Sequence, residues 1–230
     1  MIGIIGAMEE EVKLLRKELS ERKDEERGGL LFSYGRIFGK ELAVVRSGIG
    51  KVNAGACTQL LLERCHPDCI INTGIAGSLD NEINIGDIVL SEDAVQYDVD
   101  ATHFGYRLGE IPRSGRLSFP ASRRLLEIAM EENRRANPEI RGIAGRVCSG
   151  DRFVSDPETK RWIREQFQGK CCEMEGAAIA QIAWQNSCPF LIVRAISDKA
   201  DQSAILDYPA FEKEAIMHSV RLVRAMVQRI

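Results

Sequence analysis

Three short runs of this chain, Ile2 to Gly6, Cys69 to Thr73 and Phe190 to Ile196, are apolar at most positions and not at every second one. A strand with one wet face alternates apolar and polar residues, so such runs predict strands buried on both faces. The stretches between them carry helical spacing. Met8, Val12, Leu15 and Leu19 follow the first run, and Phe211, Ile216, Val220, Val223 and Val227 follow the last. Strands buried on both faces need helices on both sides, which predicts an α/β class with a mixed, largely parallel sheet.

The rest of the chain fits the same scheme. Leu31 to Ile37 and Glu41 to Arg46 are strand candidates joined through Phe38-Gly39-Lys40, which predicts a hairpin. Lys51 to Cys65 is expected to be a helix, and a glycine- and asparagine-rich loop is expected after Gly74. A β-prone run covers Asp87 to Val95. Ser122 to Asn137 has a helical apolar face of Leu125, Leu126, Ala129 and Met130. Ile143 to Cys148 reads as a strand, Pro157 to Phe167 as a helix opening on proline, and Cys171 to Met174 as a short strand. Gly176 to Asn186 reads as an alanine-rich helix. Tyr97 to Phe119 has no period, and a long stretch of that kind inside a compact domain marks an interface or a lid.

With 230 residues, the whole of 1–230 is expected to form one domain around one core. Hydrophobic residues are 44% and charged residues 28%, a balance suited to a soluble globule. A net charge of −3 supplies no field for a phosphate backbone, so no nucleic-acid partner is expected. Met1 to Met8 runs straight into Glu9, Glu10 and Glu11, unlike a secretory leader. No apolar stretch reaches the roughly eighteen residues of a membrane span, and the expected compartment is the cytoplasm. The seven cysteines form no C-x-x-C pair and are expected to be reduced core residues. Cys65, His66, Asp68 and Cys69 are all ligand types, but their spacing matches no common zinc pattern, so neither a metal nor a cofactor is expected.

Four polar motifs stand at the ends of apolar strands, where open α/β sheets bind ligands. They are Gly6-Ala7-Met8-Glu9-Glu10-Glu11, Asn72-Thr73-Gly74-Ile75-Ala76-Gly77, Glu173-Met174-Glu175-Gly176 and Arg194-Ala195-Ile196-Ser197-Asp198. Each has an ordinary reading as a helix first turn, a glycine turn or a cap. Glu173-Met174-Glu175 is harder to treat so, because strand alternation would send both carboxylates to one side of the sheet. A buried acid costs free energy unless it has a partner, and a ligand hydroxyl is one.

Taken in order, Ile4-Ile5-Gly6-Ala7-Met8-Glu9-Glu10-Glu11-Val12, Ser47-Gly48-Ile49-Gly50-Lys51-Val52, Ser149-Gly150-Asp151-Arg152-Phe153, Glu173-Met174-Glu175 and Arg194-Ala195-Ile196-Ser197-Asp198 resemble the bacterial 5′-methylthioadenosine/S-adenosylhomocysteine nucleosidases. The resemblance runs from Ile2 to about Val227. It implies a nucleoside-phosphorylase-like fold, a homodimer and a small nucleoside as substrate. It further implies that Glu11 activates water, that Asp198 protonates adenine N7 with help from Ser197, and that Glu175 grips the ribose hydroxyls with Met174 packed beneath. Phe153 would stack on adenine and the backbone of Val154 would bind its edge. Arg194 would lie near the ribose and water, and Met8, Ile49 and Phe211 would line the 5′-substituent pocket. Ala101, Phe104 and Pro112 of a second subunit would cap that pocket. Two positions depart from the family pattern: Ile75 stands where serine is common, and Gly176 where alanine is frequent.

The chemistry suits these residues. Cleaving a glycosidic C–N bond develops positive charge on the sugar and negative charge on the base. One carboxyl must therefore be protonated at the leaving base, while another is ionised on the opposite face to orient water. Asp198 fits the first role and Glu11 the second. Phosphorolysis, the alternative within the fold, needs a cationic phosphate cradle, and Glu9 to Glu11 would repel phosphate. A futalosine-type hydrolase would share the same machinery, and a catalytically inactive nucleoside binder would not need both Glu11 and Asp198.

Overall fold

A computed structural model describes residues 1–230. The chain order is β1 (Ile2–Gly6), α1 (Glu9–Glu18), β2 (Ser20–Arg27), β3 (Leu30–Ile37), β4 (Lys40–Arg46), α2 (Lys51–Cys65), β5 (Cys69–Ser78) and β6 (Ile88–Gln96). Then come β7 (Ser118–Pro120), α3 (Arg123–Ala136), β8 (Gly142–Ser149), α4 (Pro157–Phe167), β9 (Cys171–Glu173), α5 (Gly176–Gln185), β10 (Phe190–Asp198) and α6 (Ala204–Arg229). The expected mixed α/β architecture with helices on both faces is present. Two large apolar clusters divide between the sheet's faces, with Ile4 and Ile71 in one and their neighbours Ile5 and Ile70 in the other.

Strand pairing closes part of the sheet on itself. β5 runs parallel to β10, β10 antiparallel to β6, β6 parallel to β8, β8 parallel to β9, and β9 antiparallel to β5. From β5 the sheet also extends outward through β1, β4, β3 and β2. Closure removes strand edges, and it gathers the ends of β1, β5, β9 and β10 around one cavity. Closure depends on pairings between strands far apart in the chain, such as Gly77 with Cys172, which no local pattern records.

Several expected boundaries move. β5 continues through Ser78 where a loop was expected after Gly74, because Gly74 to Gly77 remain paired with β10. Glycine is required at Gly74, where a Cβ would come 2.6 Å from Glu11 Oε1. β2 was not anticipated, since Ser20 to Arg27 contains no apolar residue. It forms by pairing with β3, and ion pairs such as Arg22–Asp24 line it, so the exposed edge resists pairing with another chain. Glu175 is not on a strand, because β9 stops at Glu173 and Glu175 is the N-cap of α5. Within 97–119, Tyr97 and Phe119 are buried core residues and Ser118–Pro120 pairs with β6. The middle of that segment, from Asp100 to Tyr106, remains irregular around a short helical turn at Thr102–Phe104. All seven cysteines are free thiols. Asp68 pairs with the Met1 ammonium at 2.6 Å.

Candidate active site

Glu11 lies in the first turn of α1 and is 4% exposed. Its Oε2 accepts from the backbone N–H groups of Ala7 (2.6 Å) and Met8 (2.9 Å), and its Oε1 from that of Ile75 (3.3 Å). A helix N-terminus favours an anion here. Burial pushes the carboxyl pKa above its ordinary value, while Arg194 and these N–H donors oppose the rise. The carboxylate is thus fixed between β1 and β5 by the backbone turns that only the folded sheet supplies.

Asp198 ends β10 and is 2% exposed. Its Oδ1 accepts from Ala200 N at 2.8 Å and its Oδ2 from Ser197 Oγ at 2.9 Å. Burial raises its pKa; the Ala200 and Ser197 bonds oppose this, and the nearby charges of Asp207 and Asp201 add to it. An acid that retains its proton toward neutral pH needs this balance.

The third acidic group joins Glu173, Glu175 and Arg194. Glu173 Oε2 accepts from Arg194 Nε (3.1 Å) and from the backbone N–H groups of Glu175 (3.2 Å) and Gly176 (2.8 Å), and its Oε1 accepts from Ser149 Oγ. Arg194, 1% exposed, also donates to Asn72 Oδ1 at 2.7 Å. Its guanidinium is 3.9 Å from Glu175 Oε2. Glu175 Oε1 accepts from Gly50 N at 2.8 Å. Burial raises the Glu175 pKa, and Glu173 adds to the rise while Arg194 opposes it. Glu173 therefore satisfies the buried cation, and Glu175 keeps its carboxylate beside the cavity.

Glu11, Glu173, Glu175 and Asp198 all line one mainly apolar cavity of about 660 Å³. Met8, Ile49, Phe153 and Met174 line it too. Val154, next to Phe153 in the chain, is buried, and Ser197 is buried against Asp198. Arg194 is held in the wall by Glu173 and Asn72, beside the cavity-lining carboxylate of Glu175 and close enough for its charge to act on Glu11. Phe211 faces a separate cavity with Ile85 and His218.

Its expected place is taken by Tyr208, three positions earlier on α6. The Tyr208 hydroxyl is 3.4 Å from Met8 Sδ, and its ring meets Phe153 edge-on at 5.9 Å between centroids. Ile205 and Pro209 complete that side. Three residues turn a helix about 300°, so Tyr208 and Phe211 project in different directions from α6, and packing against Met8 places Tyr208 in the lining. Ile75 also lines the cavity, presenting an alkyl side chain to it. Ala101, Phe104 and Pro112 are outside the cavity lining, and Phe104 is 79% exposed.

This partly closed sheet, with acids from its strand ends facing an apolar cavity, defines the class. The sequence profile of the phosphorylase superfamily matches residues 1–228. A 5′-methylthioadenosine/S-adenosylhomocysteine nucleosidase from a Geobacillus strain is 41% identical over 230 residues, covering 100% of this chain and 98% of its own. One from Bacillus licheniformis is 40% identical, covering 100% and 99%. The solved nucleosidase from Neisseria meningitidis, in complex with methylthio-immucillin-A, superposes with a TM-score of 0.95 at 37% identity, over 100% of this chain and 99% of that one. The chain belongs to the 5′-methylthioadenosine/S-adenosylhomocysteine nucleosidase family of the phosphorylase superfamily.

Proposed function

We propose that this chain hydrolyses the N-glycosidic bond of 5′-methylthioadenosine and S-adenosylhomocysteine, releasing adenine and the 5′-thioribose. Family membership carries the hydrolase class and the substrate pair, and methionine salvage is the setting that follows from them. One observation carries the division of labour: Glu11 and Asp198 are both buried, line the same cavity and are held by different sets of donors. Asp198 gives its proton to the base, which leaves with the glycosidic electron pair. Glu11, kept toward its ionised form by Arg194 and three backbone N–H groups, takes the proton of the water that attacks the sugar carbon.

The Glu175 carboxylate receives the ribose hydroxyls, with Met174 beneath the sugar. Phe153 stacks on adenine and the Val154 backbone meets its edge. Met8, Ile49 and Tyr208 surround the 5′-substituent. Residues 1–230 act as one catalytic domain. We place the enzyme in the cytoplasm as a homodimer in which Ala101, Phe104 and Pro112 of each subunit cap the other's cavity, with no nucleic-acid or membrane partner. No helix is long and apolar enough to cross a membrane.

A futalosine hydrolase from Helicobacter pylori also superposes with a TM-score of 0.93 at 32% identity, so the substrate needs a direct comparison. Mass analysis of products from 5′-methylthioadenosine, with and without inorganic phosphate, tests the reading. Free 5′-methylthioribose formed at a rate indifferent to phosphate is expected. A ribose 1-phosphate, or turnover of futalosine alone, overturns it.

A further inference from the structure

Glu175 is anchored by a backbone N–H group from the other side of the cavity, and the loop carrying that group is itself tied down. Gly50 donates to Glu175 Oε1 at 2.8 Å. Gly50 has φ +96°, and a Cβ there would stand 3.2 Å from Asp151 Oδ1, so glycine is needed both for its dihedral and for the close approach. The next residue, Lys51, donates its backbone N–H to the same Asp151 Oδ1 at 2.8 Å. Asp151 N in turn donates to Asp98 Oδ2 at 3.0 Å, and the Lys51 ammonium reaches Asp98 Oδ1 at 2.5 Å and Gln96 Oε1 at 3.0 Å. The bonds form a ring: Lys51 backbone, Asp151, Asp98, Lys51 side chain.

The ring joins chain segments far apart in sequence. Lys51 opens α2, Asp98 follows β6, and Asp151 follows β8. On one side of it stand Ile49 and Gly50, and on the other Phe153, two residues beyond Asp151. Ile49 and Phe153 both line the cavity. Gly150 N bonds Glu173 O at 3.0 Å, so the Asp151 side is also tied to the strand that precedes Glu175. α2 has no side-chain cap of its own at Gly50. The acceptor it lacks locally is supplied by Asp151 from the other loop.

We propose that Lys51, Asp98 and Asp151 form a clamp that presents the Gly50 N–H to Glu175 and fixes the spacing of Ile49 and Phe153, making Asp151 a positioning residue for ribose binding. The inference rests on the role proposed above for Glu175. The charged groups facing Glu175 are Glu173 from β9, Arg194 from β10 and Glu11 from α1. Among these the Gly50 N–H is a fixed neutral donor favouring the ionised carboxylate. Its loss raises the Glu175 pKa further, so a dependence of binding on ionised Glu175 moves to higher pH.

The test is steady-state kinetics with 5′-methylthioadenosine across pH for Asp151→Ala, Asp151→Asn, Glu175→Gln and the Asp151→Ala/Glu175→Gln double variant, with melting temperatures measured alongside. Asp151→Ala is expected to raise KM roughly tenfold, the scale of one hydrogen bond to a charged group, with a much smaller change in kcat and the acid limb of kcat/KM at higher pH. Asp151→Asn keeps an acceptor for Lys51 N and should restore most of the affinity. In the Glu175→Gln background, Asp151→Ala should no longer move the acid limb. If Asp151→Ala does not fold, Lys51→Met opens the ring from its other side and is expected to shift KM and the acid limb in the same sense. A parent-like KM and pH profile in the folded variant, while Glu175→Gln raises KM, overturns the clamp. An unchanged KM in Glu175→Gln overturns the ribose role instead.

Discussion

At the floor of the cavity, the oxygens of Glu11, Glu173 and Asp198 are met by donors of the same chain, whereas at its rim Ile49, Phe153 and Ile205 present apolar side chains to solvent. The floor's groups are fixed before any ligand arrives, which is how a site supplies electrostatic stabilisation without reorganising during reaction. Exposed apolar side chains gathered at one opening lose free energy to water until something covers them. The floor's polar groups are thus satisfied within one chain, while the rim's apolar side chains are left uncovered by it.

The sharpest way to break that contrast is at the floor. Glu11→Gln and Asp198→Asn should each lower turnover between about 10² and 10⁴-fold, the range for positioned acid and base groups, while 5′-methylthioadenosine still binds. Near-normal turnover with Asp198→Asn would remove it as the acid. Inactivation by Glu9→Gln or Glu10→Gln, with Glu11→Gln active, would show that a different carboxylate of the three is the base.

Arg194→Met should act on the floor's stability before its chemistry. It strands Glu173 without its cation, and unpairing a buried ion pair costs about 3–5 kcal/mol. Urea unfolding measures this, and a loss under ~1 kcal/mol would mean that backbone donors alone satisfy Glu173.

At the rim, effects should be smaller and confined to affinity. Phe104→Ala is expected to weaken 5′-methylthioadenosine binding by ~1–3 kcal/mol, the scale of one buried apolar group, without altering the pH profile. Sedimentation showing a fully active monomer would refute the shared rim. Tyr208→Ala should weaken binding on a similar scale, and Phe211→Ala should leave affinity unchanged. The reverse pattern would restore Phe211 to the site and displace Tyr208.

The least effect, and the one that sharpens the comparison most, concerns the floor's cost to stability. Asp198 has its pKa raised in the folded chain, so the native state holds a proton that the unfolded chain releases more readily. Its contribution is fully present below the unfolded pKa and is lost as pH rises through the folded one. Asp198→Asn cannot ionise, and its melting temperature relative to the parent should therefore increase with rising pH. A gap that stays constant or narrows from acid to neutral pH would mean that Asp198 is ionised without strain.

The apolar runs of β1, β5 and β10, and the helical spacing between them, were legible because burial on both faces leaves a local record in residue type. The motifs that hold Glu11 and Asp198 stand at the ends of β1 and β10 as expected, whereas Glu175 falls past the end of β9, at the N-cap of α5. β2 left no such record, since its strand is defined by its partner β3 and its side chains remain in water. Tyr208 was not anticipated and Phe211 was, because helical spacing does not record which of the two aromatics meets Met8, 200 residues from Tyr208. The pairing of Arg194 with Glu173 and Asn72 likewise left no local record, because it exists only when β5, β9 and β10 meet. The sequence by itself thus determined the elements and the chemical types at their ends, which depend on neighbours a few residues apart. The closed ring of strands, and with it which charges face the cavity and which are spent in the wall, was decided by contacts between distant segments, where each group's role depends on what burial has already paired.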